Sequence, residues 1–184
     1  MLILIAEDES INRLGLKSML EELGHRVIAA TNGREAIRMV ERQQPDLAIL
    51  DIHMPYTDGL QAARAIMADN PLPILILTAY SEQDLIERAT DLPIQGYLLK
   101  PVAPEALAAA ITLGVKRFAE GRAQATRAAQ LEADLAARKL IDRAKGRLMQ
   151  GGMSEAEAYR TIQERARRER QTLAAAAAAV LAGN

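Results

Sequence analysis

Five short apolar runs punctuate the first hundred residues: "LILIA" (2–6), "RVIAA" (26–30), "LAILD" (47–51), "ILILT" (74–78) and "GYLLK" (96–100). Each has strand length, and helical patterns such as Asn12 to Leu23 and Arg34 to Arg42 lie between them. Continuous apolar strands alternating with helices predict a parallel sheet covered on both faces, a doubly wound five-stranded α/β fold. In such sheets the ligand crevice lies beyond the carboxyl ends of the strands. The residues that end each run are therefore the ones to weigh for chemistry.

Glu7 and Asp8 follow the first run, Asp51 ends the third, Thr78 the fourth and Lys100 the fifth. Strand-end placement brings all five into one crevice. Three carboxylates together repel one another, so the arrangement needs a cation. Oxygen donors with open positions suit Mg²⁺, which keeps part of its water shell and bridges to phosphate oxygens. A carboxylate oxygen can then attack phosphorus in line, with Thr78 and Lys100 supplying a hydroxyl donor and a positive charge. Taken singly, a strand-end carboxylate more often caps a helix and a strand-end lysine is usually a surface charge. The set of five is much harder to obtain by chance.

The character of the chain changes after Pro104. From there to Gln150 no proline interrupts a pattern that reads as one long helix, or as two meeting near Gly121. Leu107, Ile111, Phe118, Leu131 and Leu135 recur at helical spacing, and so long a helix needs a partner such as a second copy of the chain. Gly151-Gly152 reads as a helix stop, and Ser154-x-x-Glu157 as a capping box opening a further helix with Ala158, Ile162 and Ala166 inward. A last, nearly all-alanine helix spans roughly 172–182.

Charge divides the chain in the same place. Residues 1–120 hold 11 Lys+Arg against 17 Asp+Glu, a net of −6, and residues 121–184 hold 12 against 7, a net of +5. The basic half is consistent with a polyanion partner, or with a merely solvated helical surface. There is no cysteine, and no apolar stretch approaches membrane-spanning length, so a cytoplasmic protein without membrane attachment is expected.

The stretch "LIDRAKGRLM" (140–149) concentrates the question of what the basic half does. Leu140, Ile141, Ala144 and Leu148 form an ordinary buried stripe, whereas Gly146 stands on the opposite side among Arg143, Lys145 and Arg147. Its missing side chain leaves backbone open to a phosphate or to another helix. Tyr159, Arg160, Arg165 and Arg168 on the next helix complete a candidate set that could meet looped or single-stranded RNA or serve helix pairing, with Tyr159 reading equally well as a core residue.

Two resemblances sharpen these readings. "AEDE", "DIHMPYTDG", "LTAY" and "YLLKP", in this order, resemble the receiver domain of two-component response regulators over about residues 1–120. That resemblance implies a flavodoxin-like fold in which Asp51 accepts a phosphoryl group from a histidine kinase. It implies that Glu7, Asp8, Asp51 and the backbone carbonyl of His53 hold Mg²⁺, and that the His53 side chain only modulates phosphoryl lifetime. Thr78 and Tyr97 match the switch pair, and Lys100-Pro101 the active-site lysine and the cis-proline position. The phosphoryl group would draw Thr78 inward, Tyr97 would follow, and the two helices flanking the fifth strand would repack. No reaction beyond the chain's own phosphorylation and dephosphorylation is implied, so an enzyme acting on other substrates is not expected.

"RKLIDRAKGRLMQGGMSEAEAYRTIQERAR" resembles the ANTAR domain of transcription antitermination regulators, over about residues 125–184. The resemblance implies a three-helix output module, dimerised through a coiled coil over about 105–138, that binds hairpins in nascent RNA. It weakens in the last helix, "LAAAAAAVLAG", and with it any reading of RNA contacts there. Together the two imply a phosphorylation-controlled, RNA-binding antiterminator. The alternatives are a response regulator with a DNA- or protein-binding output, and a phosphotransfer intermediate with a structural helical tail.

Overall fold

Each apolar run forms a strand in the computed structural model, which describes residues 1–79 and 94–183. They are β1 (Leu2–Ala6), β2 (Arg26–Ala30), β3 (Leu47–Asp51), β4 (Ile74–Thr78) and β5 (Gly96–Leu99). Lys100 falls one residue beyond β5 instead of closing it, and its N–H donates to the Thr78 carbonyl oxygen at 2.9 Å. All pairings are parallel, in the order β2-β1-β3-β4-β5.

This order fixes where the site can be. The chain winds outward from β1 to β2, then crosses back to β3 on the other side of β1, so the winding reverses between β1 and β3. At such a switch point the connections leave in opposite directions and open a crevice at the carboxyl ends of the strands. Glu7 and Asp8 follow β1 and Asp51 ends β3, so the topology alone brings the three carboxylates to one opening.

Side chains alternate between the two faces of the sheet with the strand period of two. Leu4, Ala6, Ala48, Leu50, Ile74 and Ile76 pack on α2 (Gly33–Gln43) and α3 (Gly59–Asp69), through Ala36, Val40, Ala62, Ala63 and Ile66. Ile3, Ile5, Leu47, Ile49, Leu75 and Leu77 face Leu16 and Leu20 of α1 (Ser10–Glu22) and Leu107 and Ile111 of α4 (Pro104–Gln150). Burying both faces is what makes these strands read as continuous apolar runs, each full-sized side chain contributing about 1.5–3 kcal/mol. The helix expected between the fourth and fifth strands, and Tyr80 of the "LTAY" motif, lie outside the described residues.

Helix α1 begins two residues before the periodicity suggests, with Glu9 at its N-cap position and the Asn12 side chain donating to Glu9 Oε2 at 2.8 Å. Helix α4 is a single element of 47 residues. A Cβ at Gly121 would meet open space, so glycine there costs only its intrinsic propensity of about 1 kcal/mol, too little to break a run of strong helix formers. Every residue from 119 to 136 is exposed, including Leu131 (64%) and Leu135 (58%).

The chain divides into two compact units, Met1–Gly121 and Arg122–Asn184. In the second, the end of α4, α5 (Glu155–Glu169) and α6 (Leu173–Ala182) share a small core of Ala144, Ile162, Ala166, Ala176 and Ala177. Leu140, Ile141 and Leu148 pack against it, as the stripe in the sequence predicts. Alanine lets the helices meet closely at Ala176 and Ala177, while Ala175 and Ala178 of α6 face solvent. Among the described residues no helix is long and apolar enough to cross a membrane.

Candidate functional site

Three carboxylates gather at the carboxyl edge of the sheet: oxygens of Glu7, Asp8 and Asp51 all lie within 4.8 Å of one another. Glu7 and Asp51 are buried, at 1% and 5% exposure, while Asp8 faces solvent. Lys100 Nζ sits between the two buried acids, 2.7 Å from Glu7 Oε2 and 2.9 Å from Asp51 Oδ2. Burial pushes the Asp51 carboxyl above its ordinary pKa, and the ammonium of Lys100 offsets only part of that cost. Burial works against the charge of Lys100, yet its hydrogen bonds to Glu7 and Asp51 prevail and raise its pKa. A cleft of about 310 Å³ opens over these groups, lined by Asp8, Glu9, Asn12, Asp51, His53, Ala79 and Lys100.

The donor set is oxygen-only and carries up to three negative charges, with one side open to solvent. Those properties fit a small hard divalent cation that keeps several waters, and they fit thiophilic metals poorly. Sequence spacing brings the His53 position to the same cleft. Thr78 is fully buried, and its hydroxyl donates to the Ala79 carbonyl oxygen at 3.2 Å. Tyr97 is half-buried against the core on the α2–α3 side, and burial raises its phenol pKa. The Lys100–Pro101 peptide bond is cis.

Two supporting residues escape a reading by motif. Arg13, on the first turn of α1, donates from Nη1 to the carbonyl oxygens of Glu7 (2.7 Å) and Asp8 (3.0 Å), and from Nη2 to Ser10 Oγ (3.2 Å). One guanidinium thus fixes the backbone that carries both acids. Its only sequence signal is an arginine a turn into the helix that follows two acids. The second is Gly59: a Cβ there would collide with the Asp51 carbonyl oxygen, so α3 can approach the end of β3 only with glycine at its start. Gly59 N–H also donates to the Ile52 carbonyl oxygen at 3.0 Å.

In the helical unit the basic residues fall into separate groups. Lys145 Nζ lies 2.8 Å from Glu155 Oε1 and 3.2 Å from Asp142 Oδ1, tying α4 to the start of α5 across the Gly151-Gly152 turn. Gly146 has nothing near its Cβ position, in keeping with a face turned from the core. Arg143 and Arg160 are exposed, and Tyr159 is 40% exposed at the margin of the unit instead of within its core. Arg147 Nη1 donates to the Leu181 carbonyl oxygen at 3.3 Å, near the end of α6. Arg165 and Arg168 both pair with Glu169, at 3.1 and 3.3 Å. They line a cleft that includes Val180 and Gly183, so Arg147, Arg165 and Arg168 gather around the end of α6.

A five-stranded β2-β1-β3-β4-β5 sheet with an acidic triad, a threonine and a lysine at its carboxyl edge defines the receiver class of α/β proteins. A family model for the response regulator receiver domain matches residues 3–112, and one for the ANTAR domain matches residues 129–181. The chain belongs to the response regulators, with a receiver domain followed by an ANTAR domain. It is 42% identical over 181 residues to the transcriptional regulatory protein PdtaR of Mycobacterium tuberculosis, covering 97% of this chain and 88% of that one. Among solved structures it resembles the receiver domain of a modulated diguanylate cyclase from Desulfovibrio desulfuricans G20, with 32% identity and a TM-score of 0.61 over 65% of this chain and 97% of that one. It also resembles the receiver domain of sensor histidine kinase PA1611 from Pseudomonas aeruginosa PAO1, which has a magnesium ion coordinated in its active-site cleft. That match has 32% identity and a TM-score of 0.58, over 62% of this chain and 97% of that one.

Proposed function

We propose that the chain is a phosphorylation-controlled antiterminator: Asp51 receives a phosphoryl group from a histidine kinase, and the basic helical unit binds hairpins in nascent RNA. The observation that carries this reading is the joining, in one chain, of the pair of buried Asp51 and Lys100 inside an acidic cleft with a domain of the ANTAR family. Glu7, Asp8, Asp51 and the His53 backbone carbonyl are the groups that would hold Mg²⁺. When bound, the ion would neutralise the carboxylates and polarise the phosphoryl oxygens.

Asp51 supplies the nucleophile. Its carboxylate oxygen forms a bond to phosphorus as the bond from phosphorus to the donor histidine nitrogen breaks, and the acyl phosphate remains on Asp51. Lys100, already 2.9 Å from Asp51, offers its ammonium to the phosphoryl oxygens. The Thr78 hydroxyl leaves the Ala79 carbonyl oxygen and donates to the same group, and Tyr97 moves into the space vacated. The resulting population shift favours a dimer paired along α4, whose exposed Leu131 and Leu135 support a second copy as the partner. Two copies then present two basic units to one RNA, the candidate contacts being Arg143, Lys145, Gly146, Arg147, Tyr159, Arg160, Arg165 and Arg168. The working domains are 1–120 and 125–184, with the coiled-coil segment at 105–138 shared between them.

Gel-shift competition tests the output. Hairpin RNA should compete at least tenfold better than duplex DNA of equal charge at matched salt, and more so after treatment with a small phosphodonor. Equal competition by duplex DNA would move the assignment to a DNA-binding output. For the input, Asp51→Asn should abolish covalent labelling by the phosphodonor while the fold persists. Stoichiometric labelling of that variant would remove Asp51 from the role.

A further inference from the structure

The helical unit contains a cleft of about 370 Å³ whose walls come from all three of its helices: Leu148 of α4, Thr161, Glu164, Arg165 and Arg168 of α5, and Val180 with Gly183 at the end of α6. Its size is at the small end for ligand pockets, and its chemistry is mixed. Leu148 and Val180 belong to the apolar cluster of the unit and supply a hydrophobic floor. Around them stand an acceptor-only carboxylate, two guanidiniums and a hydroxyl. Thr161 Oγ1 already donates to the Glu157 carbonyl oxygen at 2.9 Å and lies 3.9 Å from Met153 Sδ, so toward a ligand it can serve mainly as an acceptor.

This combination selects among ligands. A phosphate inside the cleft would face Glu164, with Glu169 already pairing both arginines behind it. A purely aliphatic group would strand the charged rim. A flat heterocycle with apolar faces and an edge carrying both donors and acceptors satisfies the floor and the rim together. Single-stranded RNA presents such groups when its bases unstack, and proteins hold them on apolar or guanidinium planes while hydrogen-bonding the edge.

We propose that this cleft takes one unstacked base of an RNA loop, with Leu148 and Val180 against its face and Glu164, Thr161 and Arg165 at its edge. Arg147 and Arg168, on the rim by the end of α6, then serve the flanking phosphates. The inference rests on the RNA-binding reading and goes beyond it, because it assigns sequence preference to a defined pocket. It also gives α6 a purpose despite its bare composition: alanine brings the helix close enough to form one wall.

The test uses the full chain and a pool of RNA hairpins with a common stem and a fully randomised loop. Wild-type protein should enrich one base at one loop position by about tenfold, the discrimination expected of a well-made base contact. Glu164→Gln, an exposed and nearly isosteric change, should lower that enrichment at least fivefold while leaving affinity for the unselected pool within about twofold. Arg168→Ala should weaken binding to all loop sequences alike and keep the base preference. If Glu164→Gln preserves the same preference at full strength, the cleft does not read the base and the proposal is overturned. If wild type holds no hairpin better than duplex DNA of equal charge, the RNA-binding reading itself falls and takes the proposal with it.

Discussion

At the scale of single residues, the receiver site shows charges placed where they cost stability. Asp51 is buried with its pKa raised by desolvation, so at neutral pH its ionised form is held at a cost. Asp51→Asn should therefore unfold at a higher denaturant concentration than wild type in metal-free buffer, by about 1 kcal/mol, even as it loses phosphoryl transfer. Lys100→Ala acts the other way. It leaves Glu7 and Asp51 buried without their ammonium, and partial exposure of Lys100 limits the loss to about 2 kcal/mol by urea titration. Millimolar Mg²⁺ should restore more stability to this variant than it adds to wild type; equal gains would show that the acids do not share a cation site. Gly59→Ala should cost about 2–3 kcal/mol, because its Cβ meets a backbone carbonyl that cannot give way. Glu7, Asp8, Asp51, Thr78 and Lys100 were legible in the sequence because strand ends carry them. Arg13 was not, since its contacts are to backbone carbonyls, which leave no mark on residue types.

Among the elements, the strands were the most legible and the helix ends the least. A parallel strand buried on both faces writes a continuous apolar run, so β1 to β4 coincide with their runs to the residue. A helix end depends on a cap, and only some caps announce themselves. Ser154-x-x-Glu157 did, and both reciprocal bonds of that capping box are present. Asp58 and Gln61 form a second box at the start of α3 that the run of motif residues around it disguised. Ser154→Ala should cost about 1 kcal/mol of helical stability, read by circular dichroism during thermal unfolding. The same cap makes the helical unit acid-sensitive. Hydrogen bonds from the Ser154 hydroxyl and backbone hold the Glu157 pKa below its usual value. The unfolded chain therefore takes up that proton first, and the stabilisation present at neutral pH is lost as pH falls through the depressed pKa. Glu157→Gln should reduce the acid sensitivity of the α5 melting signal; an unchanged pH profile would assign that sensitivity to other carboxylates.

For the whole molecule, the informative feature is the length of α4 against what covers it. Its first turns bury Leu107 and Ile111 and its last turns bury Ala144, but residues 119–136 between them are all exposed. Whether Gly121 divides this region was ambiguous in the sequence, because glycine weakens a helix without forbidding it. Pairing of two chains along this segment predicts that Leu131→Glu with Leu135→Glu lowers the sedimentation mass of the phosphodonor-treated protein to that of a monomer while leaving Asp51 labelling intact. Unchanged mass would place the dimer contact elsewhere. The candidate RNA contacts were the least legible part of the chain. Arginine on a helix looks the same whether it meets solvent, a carboxylate or a phosphate, and only the fold separates Lys145, bound to Asp142 and Glu155, from the arginines around the end of α6.

The ammonium of Lys100, lodged between two buried acids, has a consequence for supply as well as chemistry. A site that brings its own counter-ion offsets part of the repulsion between its acids without a divalent ion. On the proposed reading, depletion of magnesium would then silence the signal without thinning the population of regulators. When the ion returned, the response would resume from protein already made, with no wait for new synthesis.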